Sequence, residues 1–231
     1  VRKVGREAGA QVMSLLSENH EIAKIIGGRY IHSVGALVGG MSKPITEDER
    51  KRIEQIARHS IETAKFSLKL FEDMVLKNKA YLDMILSDAY THATYYMGLV
   101  DENNCVNFYD GKVRVVDPNG KEFVKYGPDQ YLDVIAEHVE PWTYLKFPYL
   151  KEVGWKGFVD GVDSGVYRAS PLARLNASEG MATPLAQKEY EKFFKTLGGK
   201  PVHGTLATHW ARLIELLYAA ERSLELALDP E

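Results

Sequence analysis

The sequence predicts a mainly α protein of the α+β class: a bundle of long helices carrying a small antiparallel β insertion. Three observations predict it. A capping box at Thr46-Glu47-Asp48-Glu49 opens an apolar stripe that runs without Pro or Gly to about Leu76. A second amphipathic run extends from His203 to about Leu228. Between them the apolar period shortens to that of strands, punctuated by the turn pairs Asp110-Gly111 and Asn119-Gly120.

The elements follow in order. Val4, Ala8, Val12, Leu15 and Leu16 form one stripe of a first helix ending at the Gly27-Gly28 cap. A glycine-rich loop from Arg29 to Ile45 contains Gly35, Gly39 and Gly40. The long helix then places Ile53, Ile56, Ala57, Ser60, Ile61, Ala64, Leu68, Phe71 and Val75 on one face. A shorter helix is expected near Ala80–Ala89. Thr94–Met97, Val106–Tyr109 and Lys112–Val116 read as strands, the last two as a hairpin about Asp110-Gly111. Tyr131–Val139 reads as helix. Val139–Tyr167 has no clear period but holds Trp142, Tyr144, Phe147, Tyr149, Trp155, Phe158 and Tyr167; an interface and a self-packed loop account for it equally well. Thr183-Pro184 opens a helix to about Leu197, and the last helix carries Leu206, Trp210, Leu213, Leu217, Ala220 and Leu224 on one face.

Composition bounds the function. The chain has 231 residues, 45% hydrophobic and 26% charged, with net charge −3, so it can bury a sizeable core and is unsuited to nucleic acid as a main partner. No apolar stretch reaches the roughly 18–20 residues of a membrane span. The single cysteine, Cys105, excludes an internal disulfide and any CxxC motif; it suits a reducing compartment, and nothing near it in sequence would lower its pKa. The chain starts at Val1 inside a helical pattern and stops just past an amphipathic run. It is expected to be a single-domain piece of a longer polypeptide: a helical half (1–90), a β meander with an aromatic loop (91–170) and a second helical half (171–231).

The common catalytic motifs are absent. None of the seven histidines follows a glutamate by three residues, and there is no HExxH, P-loop, GxSxG or GxGxxG. Asp88 and His92, four apart, could pair at a helix end; His203 and His209 are poorly spaced for a metal. Two dense motifs remain, Gly27-Gly28-Arg29-Tyr30-Ile31-His32 with Gly39-Gly40 behind it, and Tyr167-Arg168-Ala169-Ser170-Pro171-Leu172-Ala173-Arg174-Leu175-Asn176. On residue chemistry alone both read as structural junctions braced by arginine.

These motifs resemble the signatures of the large subunit of NiFe hydrogenases, in the cytosolic, cofactor-reducing branch. Gly180-Met181-Ala182-Thr183-Pro184-Leu185-Ala186, Trp142–Tyr149 and Thr208–Glu215 resemble the same family in the same order. The resemblance implies a Ni–Fe centre in the full-length subunit, a partner in the form of an iron–sulfur small subunit, and a cytoplasmic location. The family's metal hangs from two CxxC pairs, which are not in this stretch, so no catalytic, cofactor-binding or metal-ligating residue is expected here and the piece alone should be inactive. By resemblance Arg29 and His32 face the partner subunit's nearest cluster; Ser33 departs from the family's usual Pro. Gly27, Gly28, Gly39, Gly40, Arg168, Pro171, Arg174 and Asn176 are carried over as structural signature residues. Two other readings stay open: the metal-free quinone-site subunit of respiratory complex I, and a stand-alone helical interaction module. An isolated piece is also expected to self-associate through apolar surface.

Overall fold

A computed structural model of the chain describes residues 5–229. In chain order the elements are α1 (Arg6–Gly27), β1 (Ala36–Leu37), β2 (Gly40–Met41), α2 (Glu47–Phe71) running into a π turn at Glu72–Leu76, α3 (Lys79–Leu86), β3 (Tyr95–Val100), β4 (Cys105–Val106), β5 (Lys112–Val116), β6 (Glu122–Tyr126), α4 (Tyr131–Val134), β7 (Ile135–Val139), β8 (Lys146–Leu150), β9 (Tyr167–Arg168), α5 (Pro171–Ala177), β10 (Gly180–Met181), α6 (Pro184–Thr196) and α7 (Thr208–Leu228). The described residues form two compact units, 5–70 with 216–229, and 71–215.

In the first unit, α2 starts where the sequence places it. Thr46 Oγ1 accepts from the Glu49 amide at 3.3 Å, and Glu49 Oε2 accepts from the Thr46 amide at 3.0 Å, closing the capping box. Ile53, Ile56, Ala57, Ser60, Ile61, Ala64 and Leu68 are buried as their spacing requires. Polar ties join α2 to α1: Arg52 donates to both carboxylate oxygens of Glu21 at 2.9 and 2.7 Å, and His59 Nδ1 lies 2.6 Å from Glu18 Oε2. Arg50 reaches the Ala227 carbonyl on α7 at 2.6 Å. The α1 stripe is only half realised. Ala8 and Leu15 are buried, Val12 and Leu16 are exposed, and Val4 lies outside the described residues.

The second unit is built on a sheet of order β10-β4-β3-β5-β6, with β9 also beside β3. Successive residues of β3 serve opposite faces. Tyr95 joins Val115, Tyr126 and Leu150 on one face, whereas Tyr96 joins Val116, Ala173 and Ala177 under α5 on the other. Gly98 allows that approach, since a Cβ there would come within 3.0 Å of Arg174 Cα. Beneath α6 and α7, Phe193 meets Trp210 edge-on at 5.2 Å.

Three expectations are corrected in this unit. Residues 106–109 do not form a hairpin with Lys112–Val116. Strand β5 pairs with β3 and β6 instead, because Asn107 and Asp110 bond to each other in a wide turn and Gly111, at φ 111, folds β5 back onto β3. A Cβ on Gly111 would lie 2.2 Å from the Val100 carbonyl oxygen. Tyr131–Val139 is one helical turn followed by strand β7, whose β-branched ends favour extended backbone and whose partner β8 anchors it through the fully buried Leu150. His92 pairs not with Asp88 but with Asp160, at 3.3 Å, because α3 stops at Leu86 and the chain is extended by residue 92. The aromatic stretch after Val139 packs largely on itself: Trp155 stacks on His138 at 4.5 Å and meets Phe158 edge-on at 5.2 Å. Trp142 and Tyr144 remain exposed, and Phe158 keeps most of its ring in solvent.

Candidate functional site

The two motifs singled out in the sequence lie in different units, and each has its own geometry. In the first unit, α1 ends on Gly28 in the left-handed conformation (φ 76), whose amide donates to the Lys24 carbonyl at 2.9 Å. The Gly27 carbonyl then accepts from the amides of Val34 and Gly35 at 2.9 and 3.0 Å, closing a tight loop over residues 28–35. A Cβ on Gly27 would fall 1.6 Å from Ser33 Oγ and 3.0 Å from Ser33 Cβ, so a side chain there would force Ser33 to turn aside. His32 sits at φ 51, a conformation uncommon for a residue with a side chain. Arg29 and His32 are both exposed, and Tyr30 stacks on His20 at 4.7 Å. The short β1–β2 hairpin follows, turning through Val38 and Gly39 ahead of Gly40. Tyr30, Ile31, Val34, Leu37, Val38 and Met41 all present apolar surface to solvent on this loop.

The second motif is a buried junction. Ser170 caps α5 by accepting from the Ala173 amide at 3.4 Å, and Pro171 occupies the first helical position, where no amide donor is needed. Arg168 donates to Thr94 Oγ1 (3.0 Å), Tyr96 Oη (2.9 Å), Thr205 Oγ1 (3.3 Å) and the carbonyls of His92 (2.5 Å) and His203 (3.2 Å). Arg174 forms a two-pronged pair with Glu215 at 2.6 and 2.7 Å and also holds the Ala169 carbonyl at 3.0 Å. The Glu215 side chain is only 7% exposed. Asn176 is fully buried and completes the backbone of Val202 in both directions, donating to its carbonyl at 2.7 Å and accepting from its amide at 3.0 Å. These three side chains bind protein groups. They tie β3, α5, the 202–205 segment and the start of α7 to one another.

Partners of these residues were not legible in the sequence. Tyr96, His203 and Glu215 stand 72, 35 and 41 positions from the arginines that hold them, and no local spacing signals such pairs. Cys105 is half-buried, and its thiol is pushed up by burial and by the nearby Asp101 carboxylate, the opposite of an activated nucleophile.

The fold is that of NiFe hydrogenase large subunits. The structure superposes on a chain of an NAD+-reducing NiFe hydrogenase in its H2-reduced state with a TM-score of 0.86 and 30% identity, covering 97% of this chain and 48% of that one. Among curated proteins its homologues are hydrogenase subunits. The chain is 46% identical over 231 residues to an F420-non-reducing hydrogenase iron-sulfur subunit of Archaeoglobus profundus, covering 100% of this chain and 47% of the relative. It is 39% identical over 223 residues to an F420-non-reducing hydrogenase subunit of the vhu type from Methanocaldococcus jannaschii, covering 96% and 50%. The chain thus spans about half the length of the curated relatives it matches. No protein-family model matches it.

A Ni–Fe centre needs soft thiolate donors. The residues present do not fit it. Cys105 is the one thiol of the chain, and among the described residues no group of three or more His, Cys, Asp or Glu side chains is placed to hold a metal. No helix among the described residues is long and apolar enough to cross a membrane.

Proposed function

We propose that this chain is the central scaffold of a NiFe hydrogenase large subunit of the cytoplasmic, cofactor-reducing type. In this reading it builds the helical surround of a Ni–Fe centre whose ligands belong to other segments, and it docks an iron–sulfur small subunit. The piece alone would be inactive. The observation that carries the reading is the end-to-end 46% identity with half of a hydrogenase subunit. The hydrogenase names of the relatives favour it over a quinone-site subunit of respiratory complex I, and the arginine-braced junction at Arg168, Arg174 and Asn176 supports a structural role for that signature.

The 28–41 loop is the docking element of this reading. It is closed by two hydrogen bonds to the Gly27 carbonyl, carries the exposed Arg29 and His32, and displays six exposed large apolar side chains within twelve residues. Gly27, Gly28, Gly39 and Gly40 shape it. The first unit also has an open cleft of about 590 Å³ whose floor of Ile22, Ile26, Ile45, Ile53 and Leu226 is edged by Glu47, Arg50 and Asp229; this partly apolar surface supports self-association of the isolated piece.

The test is co-purification of the full-length protein with its iron–sulfur partner, comparing wild type with Arg29→Glu/His32→Glu. Loss of most of the bound partner, with the circular dichroism unchanged, is the expected result. Full retention of the partner would remove the docking assignment.

A further inference from the structure

The second unit contains a hydrogen-bonded trio, Arg168–Tyr96–His203, whose polarity is fixed by its members. Tyr96 is fully buried, and its hydroxyl accepts from Arg168 Nη2 at 2.9 Å. Arginine offers donors only, and a phenol has a single proton. That proton is therefore left for the other neighbour of the hydroxyl, His203 Nδ1, at 2.5 Å. With that proton donated to Nδ1, His203 is a neutral imidazole that carries its own proton on Nε2. The same guanidinium holds the His203 and His92 carbonyls, and the His92 amide donates to the His203 carbonyl at 3.4 Å. One small cluster thus fastens the entry of β3 to the turn ahead of α7.

We propose that this trio is a pH-sensitive latch: a proton taken up from solvent at His203 Nδ1 removes the acceptor, sets a second cation against Arg168 and strands the Tyr96 hydroxyl proton, so that residues 92–96 release the 203–205 turn. The charged and titratable groups facing His203 are Tyr96 from β3, Arg168 from β9 and Asp160 from the loop before β9, the last paired with His92. Burial and the Arg168 cation hold the His203 imidazole below its ordinary range, and Asp160 works in the opposite direction. Latching is therefore complete above about pH 6.5. It weakens as pH falls from there through the depressed value in the latched state.

The test is hydrogen–deuterium exchange by mass spectrometry on the full-length protein in its purified complex, from pH 8 to 5 and corrected for intrinsic rates. In wild type, peptides covering 92–96 and 203–207 should lose protection by up to about tenfold per pH unit below about 6.5, while the strand pair β5–β6 stays flat. His203→Asn keeps an acceptor near the Nδ1 position and cannot be protonated, so its profile should be flat. Asp160→Asn should shift the midpoint to lower pH, and His92→Gln should keep the wild-type profile. A wild-type profile without pH dependence, or an unaltered profile in His203→Asn, overturns the latch. Should His203→Asn fail to fold, an unshifted midpoint in Asp160→Asn overturns it, as does a flat profile in His92→Gln.

Discussion

Replacing Arg174 by alanine removes one side chain but disturbs three bonded groups, and the cost follows from what stays behind. Glu215 keeps a carboxylate that is 7% exposed on the side chain and loses both guanidinium hydrogen bonds, at 2.6 and 2.7 Å. The Ala169 carbonyl loses its 3.0 Å donor, and the Phe108 ring loses a cation lying 5.6 Å from its centroid. Breaking a buried pair from one side typically costs about 3–5 kcal/mol, because the remaining charge is uncompensated. The Arg174 side chain is 28% exposed, so water reaches one side of the pair, and Arg174→Ala should destabilise the second unit by about 2–3 kcal/mol, between the exposed and the fully buried cases. Arg174→Met combined with Glu215→Leu, which removes both charges and fills the volume, should recover most of that loss. Urea unfolding followed by tryptophan fluorescence reads both, since Trp210 is buried on the same helix as Glu215. A loss below about 1 kcal/mol for Arg174→Ala, the range of exposed pairs, would rule out a pair sheltered from water. Additive single-substitution effects in the double variant would rule it out as well.

Two further outcomes follow from the same structure. Asn176→Ala leaves the Val202 amide and carbonyl without partners in a fully buried place, which should cost about 2–4 kcal/mol in the same unfolding assay; a change below about 1 kcal/mol would contradict the pairing. Glu49 has its carboxyl lowered from 4.5 to about 2 by the Lys43 ammonium and by the Thr46 amide of the capping box. A depressed carboxylate stabilises fully above the unfolded value, and that stabilisation is lost as pH falls from about 4.5 toward about 2. The start of α2 should accordingly fray across that acid window, read by exchange at the Glu49 and Arg50 amides, and Glu49→Gln should remove that part of the dependence.

What the sequence discloses of this fold is what local chemistry determines. The capping box at Thr46, the α2 face from Ile53 to Leu68, the Gly28 cap and the Pro184 helix start all depend on neighbours within four residues, and all stand where their residues place them. Strand partners do not. Lys112–Val116 is a strand as its β-branched residues require, yet its partner is not the 106–109 segment, because Gly111 serves a turn onto β3 across a longer loop. Ile135–Val139 shows a helix-compatible pattern until its partner Lys146–Leu150 is known, and Pro148 inside that partner disguises it as loop. Arg168, Arg174 and Asn176 were legible as a dense motif, but their roles come from Thr94, Tyr96, Glu215 and Val202, which lie far along the chain. The outer half of the α1 stripe, Val12 and Leu16, is amphipathic sequence that the described residues leave uncovered.

The scaffold assignment is tested most directly by the nickel and iron content of the full-length protein, purified natively with whatever accompanies it. About one nickel for each copy of this chain, with further iron in a smaller partner, is the expected result. A folded, partner-bound preparation without nickel would contradict it.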